Sequence, residues 1–229
     1  MSAASDGPPG RKLPDHWRTV DTCAISDALD RLGHPGVVPG VVALAGPLRI
    51  LGRAVTVELG PAGPEIPSRH LGTAAVEAAS TGDVIVVAHR GRTDCAGWGG
   101  NLSLAAHLAG LSGVVVDGAC RDVAEAESLG FPLFARAATP RTARGRVCEV
   151  SYQRPVIFGD LVVRPGDLVI ADRCGVVFVN QDWEEPAMEA AVEIIHKEAA
   201  MWAAIKSGMP VSQVMGSSYE NAARQGGAQ

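Results

Sequence analysis

The sequence predicts an α/β protein: a central parallel βαβαβ unit, a second strand-rich layer and a C-terminal helix. Three observations carry this. Between Val84 and Ala135, apolar runs alternate with Ala-rich helical stretches, the pattern of strands buried on both faces with crossover helices. From Val147 to Val179 the apolar runs shorten and are separated by turn residues, which predicts an antiparallel or mixed layer. From about Trp183 to Ser207, Val192, Ile195, Ala199, Trp202 and Ile205 recur roughly on one helical face.

Taken in order, Ile25, Leu29 and Leu32 share a helical face, with Asp21 or Thr22 to cap its start and Gly33 to end it. Arg53 to Leu59 alternates as a strand, Gly60 to Pro67 is a Pro-rich loop, and His70 to Ser80 is helical. Val84 to Ala88 is an apolar strand, Arg90 to Gly100 a polar loop, and Asn101 to Leu111 a helix. Val114 to Val116 is the next strand, Asp117 to Arg121 a turn, Asp122 to Leu129 a helix stopped by Gly130, and Phe131 to Ala135 a strand. Short strands follow at 147–152, 156–158, 161–163, 168–170 and 176–179. Residues 1–14 and 209–229 are small and polar and are expected as tails around one domain over 15–208.

The 229 residues are 47% hydrophobic, enough for a real core, but only 4% aromatic, so Val, Ala, Leu and Ile must fill it. Twenty basic against 25 acidic side chains give a net charge of −5 without a basic block. That argues against nucleic acid and against an anionic membrane surface. No apolar stretch reaches the ~20 residues of a membrane helix. The five cysteines form no C-x-x-C pair, so reduced thiols in a cytoplasmic protein are expected.

Two segments stand at the C-terminal ends of the apolar strands, where ligands gather in open α/β sheets. Gly97-Trp98-Gly99-Gly100-Asn101 lets a backbone approach a ligand closely, yet matches neither a dinucleotide fingerprint nor a P-loop. In Arg121-Asp122, the Arg can grip a carboxylate with two parallel hydrogen bonds and the Asp can hold a hard cation. Equally, Asp122 can simply cap the helix that follows. Cys120 reads as a core residue rather than a nucleophile, and His70, His89 and His107 lack the spacing of a helical metal site.

The order of these motifs resembles the RraA-like family. The resemblance rests on Trp98-Gly99-Gly100-Asn101-Leu102, then Gly113 to Asp122 with its D-G-A-x-R-D core, then Leu129 to Ala135. Ser26 to Gly33, Val163 to Val169, Gly175 to Val177 and Lys197 to Ala199 add to it. The family includes the 4-hydroxy-4-methyl-2-oxoglutarate/4-carboxy-4-hydroxy-2-oxoadipate aldolases and the regulators of ribonuclease activity. The resemblance implies a three-layer β/β/α, swivelling-domain-like fold and a homo-oligomer, trimer or hexamer. It implies Mg²⁺ or Mn²⁺ at Asp122, with Glu198 of a neighbouring subunit completing the surroundings through water. Arg121 would hold the pyruvyl part of the substrate, and Gly99, Gly100, Asn101 and Leu102 its carboxylate. Aldolase members often carry Glu directly after Trp-Gly, where this chain has Gly100; Asp94 is the expected substitute from the same loop.

The implied activity is metal-dependent retro-aldol cleavage of a 4-hydroxy-2-oxo acid to pyruvate and a second keto acid, with oxaloacetate decarboxylation reaching the same enolate. No Lys stands out as a Schiff-base former. The rival expectations are a non-catalytic regulator that binds a ribonuclease and a methyltransferase. The latter lacks the early glycine-rich turn of a methyl-donor site.

Overall fold

The structure, a computed structural model, describes residues 13–64 and 69–216. The expected N-terminal tail lies almost wholly outside the described residues, as do 217–229 of the C-terminal one. The strands are β1 (Val37–Val38), β2 (Val42–Ala45), β3 (Ile50–Pro61), β4 (Val84–Ala96), β5 (Gly113–Cys120), β6 (Leu133–Ala138), β7 (Val147–Tyr152), β8 (Val156–Phe158), β9 (Leu161–Val163), β10 (Leu168–Asp172) and β11 (Gly175–Val179). The helices are α1 (Thr22–Leu32), α2 (Thr73–Ala78), α3 (Gly100–Leu108), α4 (Val123–Leu129), α5 (Glu184–Lys206) and α6 (Val211–Val214).

The main sheet runs β1-β11-β10-β3-β4-β5-β6-β2, with β7 on β3. Strands β3, β4, β5 and β6 are parallel; β10, β11, β1, β2 and β7 join antiparallel. The βαβαβ unit and the mixed second half are thus as the sequence predicts, giving the α/β fold. Long β3 is the seam: Ile50–Arg53 pairs with β10, Ala54–Glu58 with β4, and Val57–Pro61 with β7.

Strand alternation sorts the apolar side chains. Ile85, Val87, Val114, Val116, Leu133 and Ala135 face a core shared with Trp98, Leu102 and Ala126 of the α3 and α4 segments. Val84, Val86, Val115 and Phe134 face the opposite way, onto Val156, Phe158 and Val163 of the β8–β9 hairpin. A third core packs α1 and α5 on β10 and β11 through Ile25, Leu29, Ile170, Val179, Met188 and Ile194. Helices on one side and a hairpin on the other fulfil the period-2 pattern of strands buried on both faces.

Helix α1 begins and ends as its sequence predicts. Asp21 accepts from Ala24 N–H at 2.8 Å, and Gly33 closes the helix at φ 74°, where a side chain would be strained. Three expectations are corrected. The helix expected from His70 to Ser80 is only Thr73–Ala78. Much of the loop expected from Arg90 to Gly100 is strand: β4 turns at Arg90 (φ 55°) and Gly91 (φ 68°), then runs to Ala96 beside β5 with shifted register. On α5 the buried face is Ala187, Met188, Ala191 and Ile194, while Trp202 is 67% exposed; the outer half of this helix reaches past the core it was expected to cover.

Candidate active site

Strand β5 is buried along its whole length, and its D-G-A-x-R-D motif divides into scaffold and site. Asp117 accepts from Arg136 Nε and from Gly159 N–H, fixing the turn of the β8–β9 hairpin to the sheet. At Gly118 an added Cβ would lie 2.5 Å from the His89 ring, so only glycine fits. His89 is itself buried, and its Nε2 donates to Cys95 O at 2.9 Å. Burial drives its pKa down, and a neutral imidazole spent on a carbonyl is structural. Burial likewise pushes the Cys120 thiol up to about 12, which removes it as a nucleophile.

The chain emerges at Arg121 and Asp122. Asp122 stands just before α4, yet makes no side-chain capping bond to that helix. Its backbone is left-handed (φ 57°, ψ 41°), a conformation that costs about 1 kcal/mol or more for a non-glycine residue. The twist carries the carboxylate to the neighbouring helix, where Asp122 Oδ2 accepts from Gly100 N–H at 3.0 Å. Arg121 Nε donates to Oδ1 and Oδ2, at 3.1 Å each. The reading of Asp122 as a plain helix cap is therefore wrong. Burial pushes the Asp122 carboxyl up, but the Gly100 N–H and the Arg121 guanidinium outweigh it and hold it below the usual carboxylate range.

Gly99 and Gly100 permit this approach. A Cβ at Gly100 would lie 3.0 Å from Asp122 Cβ and 3.4 Å from Glu125 Cβ. At the start of α3 the Gly100 N–H is spent on Asp122. Among the described residues the N–H groups of Asn101 and Leu102 have no protein acceptor, an arrangement that suits an anion at a helix start. Trp98, buried beneath, steadies the turn by donating Nε1–H to Ser103 Oγ at 2.9 Å. The terminal nitrogens of Arg121 make no hydrogen bond among the described residues.

Two clefts meet at Gly100, Asn101, Arg121 and Asp122. One, about 320 Å³, continues past Trp98, Gly99 and Leu102 to His70, Thr142 and Arg144. The other, about 660 Å³ and more open, lies between α3 and α4 and includes Glu125. Arg69, next in sequence to His70, is committed to Glu149; Arg144 has no carboxylate partner among the described residues.

Arg121, Asp122, Gly99, Gly100, Asn101 and Leu102 thus converge at one place. Within one chain Glu198 lies apart from them, where Asp27 of α1 and the cap residue Asp21 are its charged neighbours, and burial first, then these two, raises its pKa. Asp94 is not the substitute carboxylate, because it is exposed and bound through both oxygens to Arg92 at 2.9 Å. The carboxylate at Gly100 is that of Asp122, and Glu125 lines the same cleft with its Cβ close to Gly100. Glu125 stands in the first turn of α4, and no sequence spacing relates it to Gly100.

A sheet-based α/β domain with an Arg–Asp pair set against a glycine-opened helix start defines the class, and a family model described as RraA-like, Aldolase/RraA, matches residues 22–178. The chain belongs to the RraA-like family. It is 33% identical over 179 residues to a protein of Halalkalibacterium halodurans named "Putative 4-hydroxy-4-methyl-2-oxoglutarate aldolase", covering 76% of this chain and 80% of that one. It is 30% identical over 199 residues to Protein DlpA of Legionella pneumophila, where the match covers 84% of this chain but 31% of that longer protein. Among solved structures, an uncharacterized protein from Pseudomonas syringae pv. tomato superposes with a TM-score of 0.80 at 28% identity, over 90% of this chain and 100% of that one. Streptomyces coelicolor RraAS2, described as an unusual member of the RNase ES inhibitor RraA protein family, gives 0.72 at 26%, over 85% and 98%.

Proposed function

We propose that this chain is a divalent-metal-dependent aldolase that cleaves a 4-hydroxy-2-oxo acid of the 4-hydroxy-4-methyl-2-oxoglutarate type to pyruvate and a second keto acid. The observation that carries the reading is the left-handed Asp122, which turns its carboxylate away from its own helix and onto Gly100 and Arg121. Backbone strain of this kind concentrates at functional sites.

The donor set suits Mg²⁺ or Mn²⁺. Asp122 is held ionised and Glu125 lies on the same cleft. Among the described residues no group of three or more His, Cys, Asp or Glu could hold a metal. One or two carboxylates completed by water is the manner in which Mg²⁺ is usually held. When bound, the cation supplies Lewis acidity toward the 2-oxo oxygen.

The chain's own groups supply the rest. The Asn101 and Leu102 N–H groups take the C1 carboxylate at the head of α3. The terminal nitrogens of Arg121 face the oxygen on which charge develops. Water in the open cleft takes the proton of the 4-hydroxyl, whose oxygen becomes the new carbonyl; the C3–C4 bond breaks, its electron pair enters the pyruvate enolate, whose charge Arg121 offsets, and water returns a proton to C3 to give pyruvate. Loss of CO₂ from oxaloacetate leads to the same enolate, so the site also suits oxaloacetate decarboxylation. Arg144, on the far wall of the narrower cleft, suits the second acid group of such a substrate.

A homo-oligomer, trimer or hexamer, with Glu198 reaching a neighbour's site, belongs to the same reading. It is supported by the outer half of α5, which presents Glu198 beside exposed Trp202 and Ile205. The likeness to RraAS2 favours a second reading, a non-catalytic regulator that binds a ribonuclease. A screen of 4-hydroxy-2-oxo acids and oxaloacetate for pyruvate release, with and without Mg²⁺, separates the two. Metal-dependent release supports the lyase; no release from any substrate, with inhibition of an endoribonuclease, supports the regulator.

A further inference from the structure

Away from the site, two thiols far apart in sequence stand side by side. Cys23 is on the first turn of α1, and Cys174 is on the short turn between β10 and β11. Asp172 holds the two segments together. Its Oδ2 accepts from Thr22 N–H at 2.9 Å, and its Oδ1 accepts from Thr22 Oγ1 at 2.6 Å and from Cys174 N–H at 2.8 Å. One carboxylate thereby fixes the residue before Cys23 and the backbone of Cys174 itself. Both cysteines are exposed, and Asp172 brings the segments that carry them together. The other cysteines differ: Cys95 and Cys120 are buried, and Cys148 Sγ lies against Pro61 O at 3.4 Å.

We propose that Cys23 and Cys174 form a dithiol modification site that reacts with a low-molecular-weight disulfide, such as oxidised glutathione, and closes to an intramolecular disulfide. Both thiols are exposed, so either can react first and the other close the bond. When Cys174 reacts first, it attacks the glutathione disulfide, forms a mixed disulfide and releases one glutathione thiol. Cys23 then attacks the Cys174 sulfur, the mixed disulfide breaks, and the second glutathione thiol leaves. Two protein thiols are oxidised, one glutathione disulfide is reduced, and both protein protons end on the released thiols. The bond ties α1 to the β10–β11 turn across most of the domain, and a staple over so long a loop restricts the unfolded chain strongly.

The test uses the full chain in excess oxidised glutathione, followed by peptide mapping without reduction. The expected result is a peptide pair linked through Cys23 and Cys174, with no lasting glutathione on either. The melting temperature should rise by roughly 5–15 °C and return on reduction. In Cys23→Ser the reaction should stop at a glutathione adduct on Cys174. Separate adducts on Cys23 and Cys174 in the unsubstituted chain, a link between two chains, or two unreacted thiols would each overturn the proposal.

Discussion

Replacing Arg121 by Lys keeps the positive charge and removes the planar fork, so it isolates what the geometry contributes. Arg121 hydrogen-bonds Asp122 through Nε only, contacting both carboxylate oxygens at 3.1 Å, and under the proposed function its terminal nitrogens serve the substrate. A lysine ammonium has one centre and serves either Asp122 or the enolate, not both. The loss falls on charge that develops in the transition state, which for a single such donor is worth about 3–4 kcal/mol, or roughly 10²–10³ in kcat. Stability should barely change, because the pair is 39% and 28% exposed and an ion pair that accessible contributes about 0–1 kcal/mol. The assay is pyruvate release coupled to lactate dehydrogenase, with far-UV circular dichroism and a melting curve on the same sample. A folded Arg121→Lys protein turning over within a factor of about three of the parent would refute the reasoning, since the reaction would not be using the fork.

Other substitutions probe the neighbours. Asp122→Asn tests the carboxyl held below its ordinary range: the parent's stability advantage over this variant should be full above the ordinary carboxylate pKa and fade as pH falls through the lower folded value. Urea unfolding of both proteins from pH 7 to 2.5 checks this, and a gap that widens toward acid contradicts it. Glu125→Gln should raise the Mn²⁺ dissociation constant about tenfold without unfolding the chain, read by titration calorimetry; unchanged affinity removes Glu125 from the metal's surroundings. Arg144→Gln should raise KM for a dicarboxylic substrate about tenfold while leaving kcat and a monocarboxylic substrate nearly unchanged, and an equal effect on both substrates rejects its role.

Much of the fold was legible because each element declares itself locally. The strands at Val84 and Val114 are runs of apolar residues, and α1 carries both its cap and its stop. Misread segments were those where backbone geometry overrides composition. Arg90 and Gly91 turn the chain through positive φ and let a polar segment rejoin the sheet, which no hydrophobic pattern reports. On α5 the apolar repeat could not distinguish the face that packs on α1 from the outer half that leaves the core. At the site, Arg121, Asp122 and the glycine turn were visible as motif, but the direction of the Asp122 side chain was not. That direction depends on one left-handed residue and on the absence of a Cβ at Gly100. The nearness of Glu125 to Gly100 was hidden for the same reason: the two are remote in sequence and adjacent in space.

The central claim is that Asp122 anchors a divalent cation needed for carbon–carbon cleavage. Its most direct test is pyruvate release from 4-hydroxy-4-methyl-2-oxoglutarate by EDTA-treated protein, before and after Mg²⁺ is returned, with Asp122→Ala alongside. The account predicts no release from the stripped protein, recovery with Mg²⁺, and none from Asp122→Ala at any Mg²⁺ concentration that restores the parent. Full activity in EDTA, or an Asp122→Ala protein restored as readily as the parent, would contradict it.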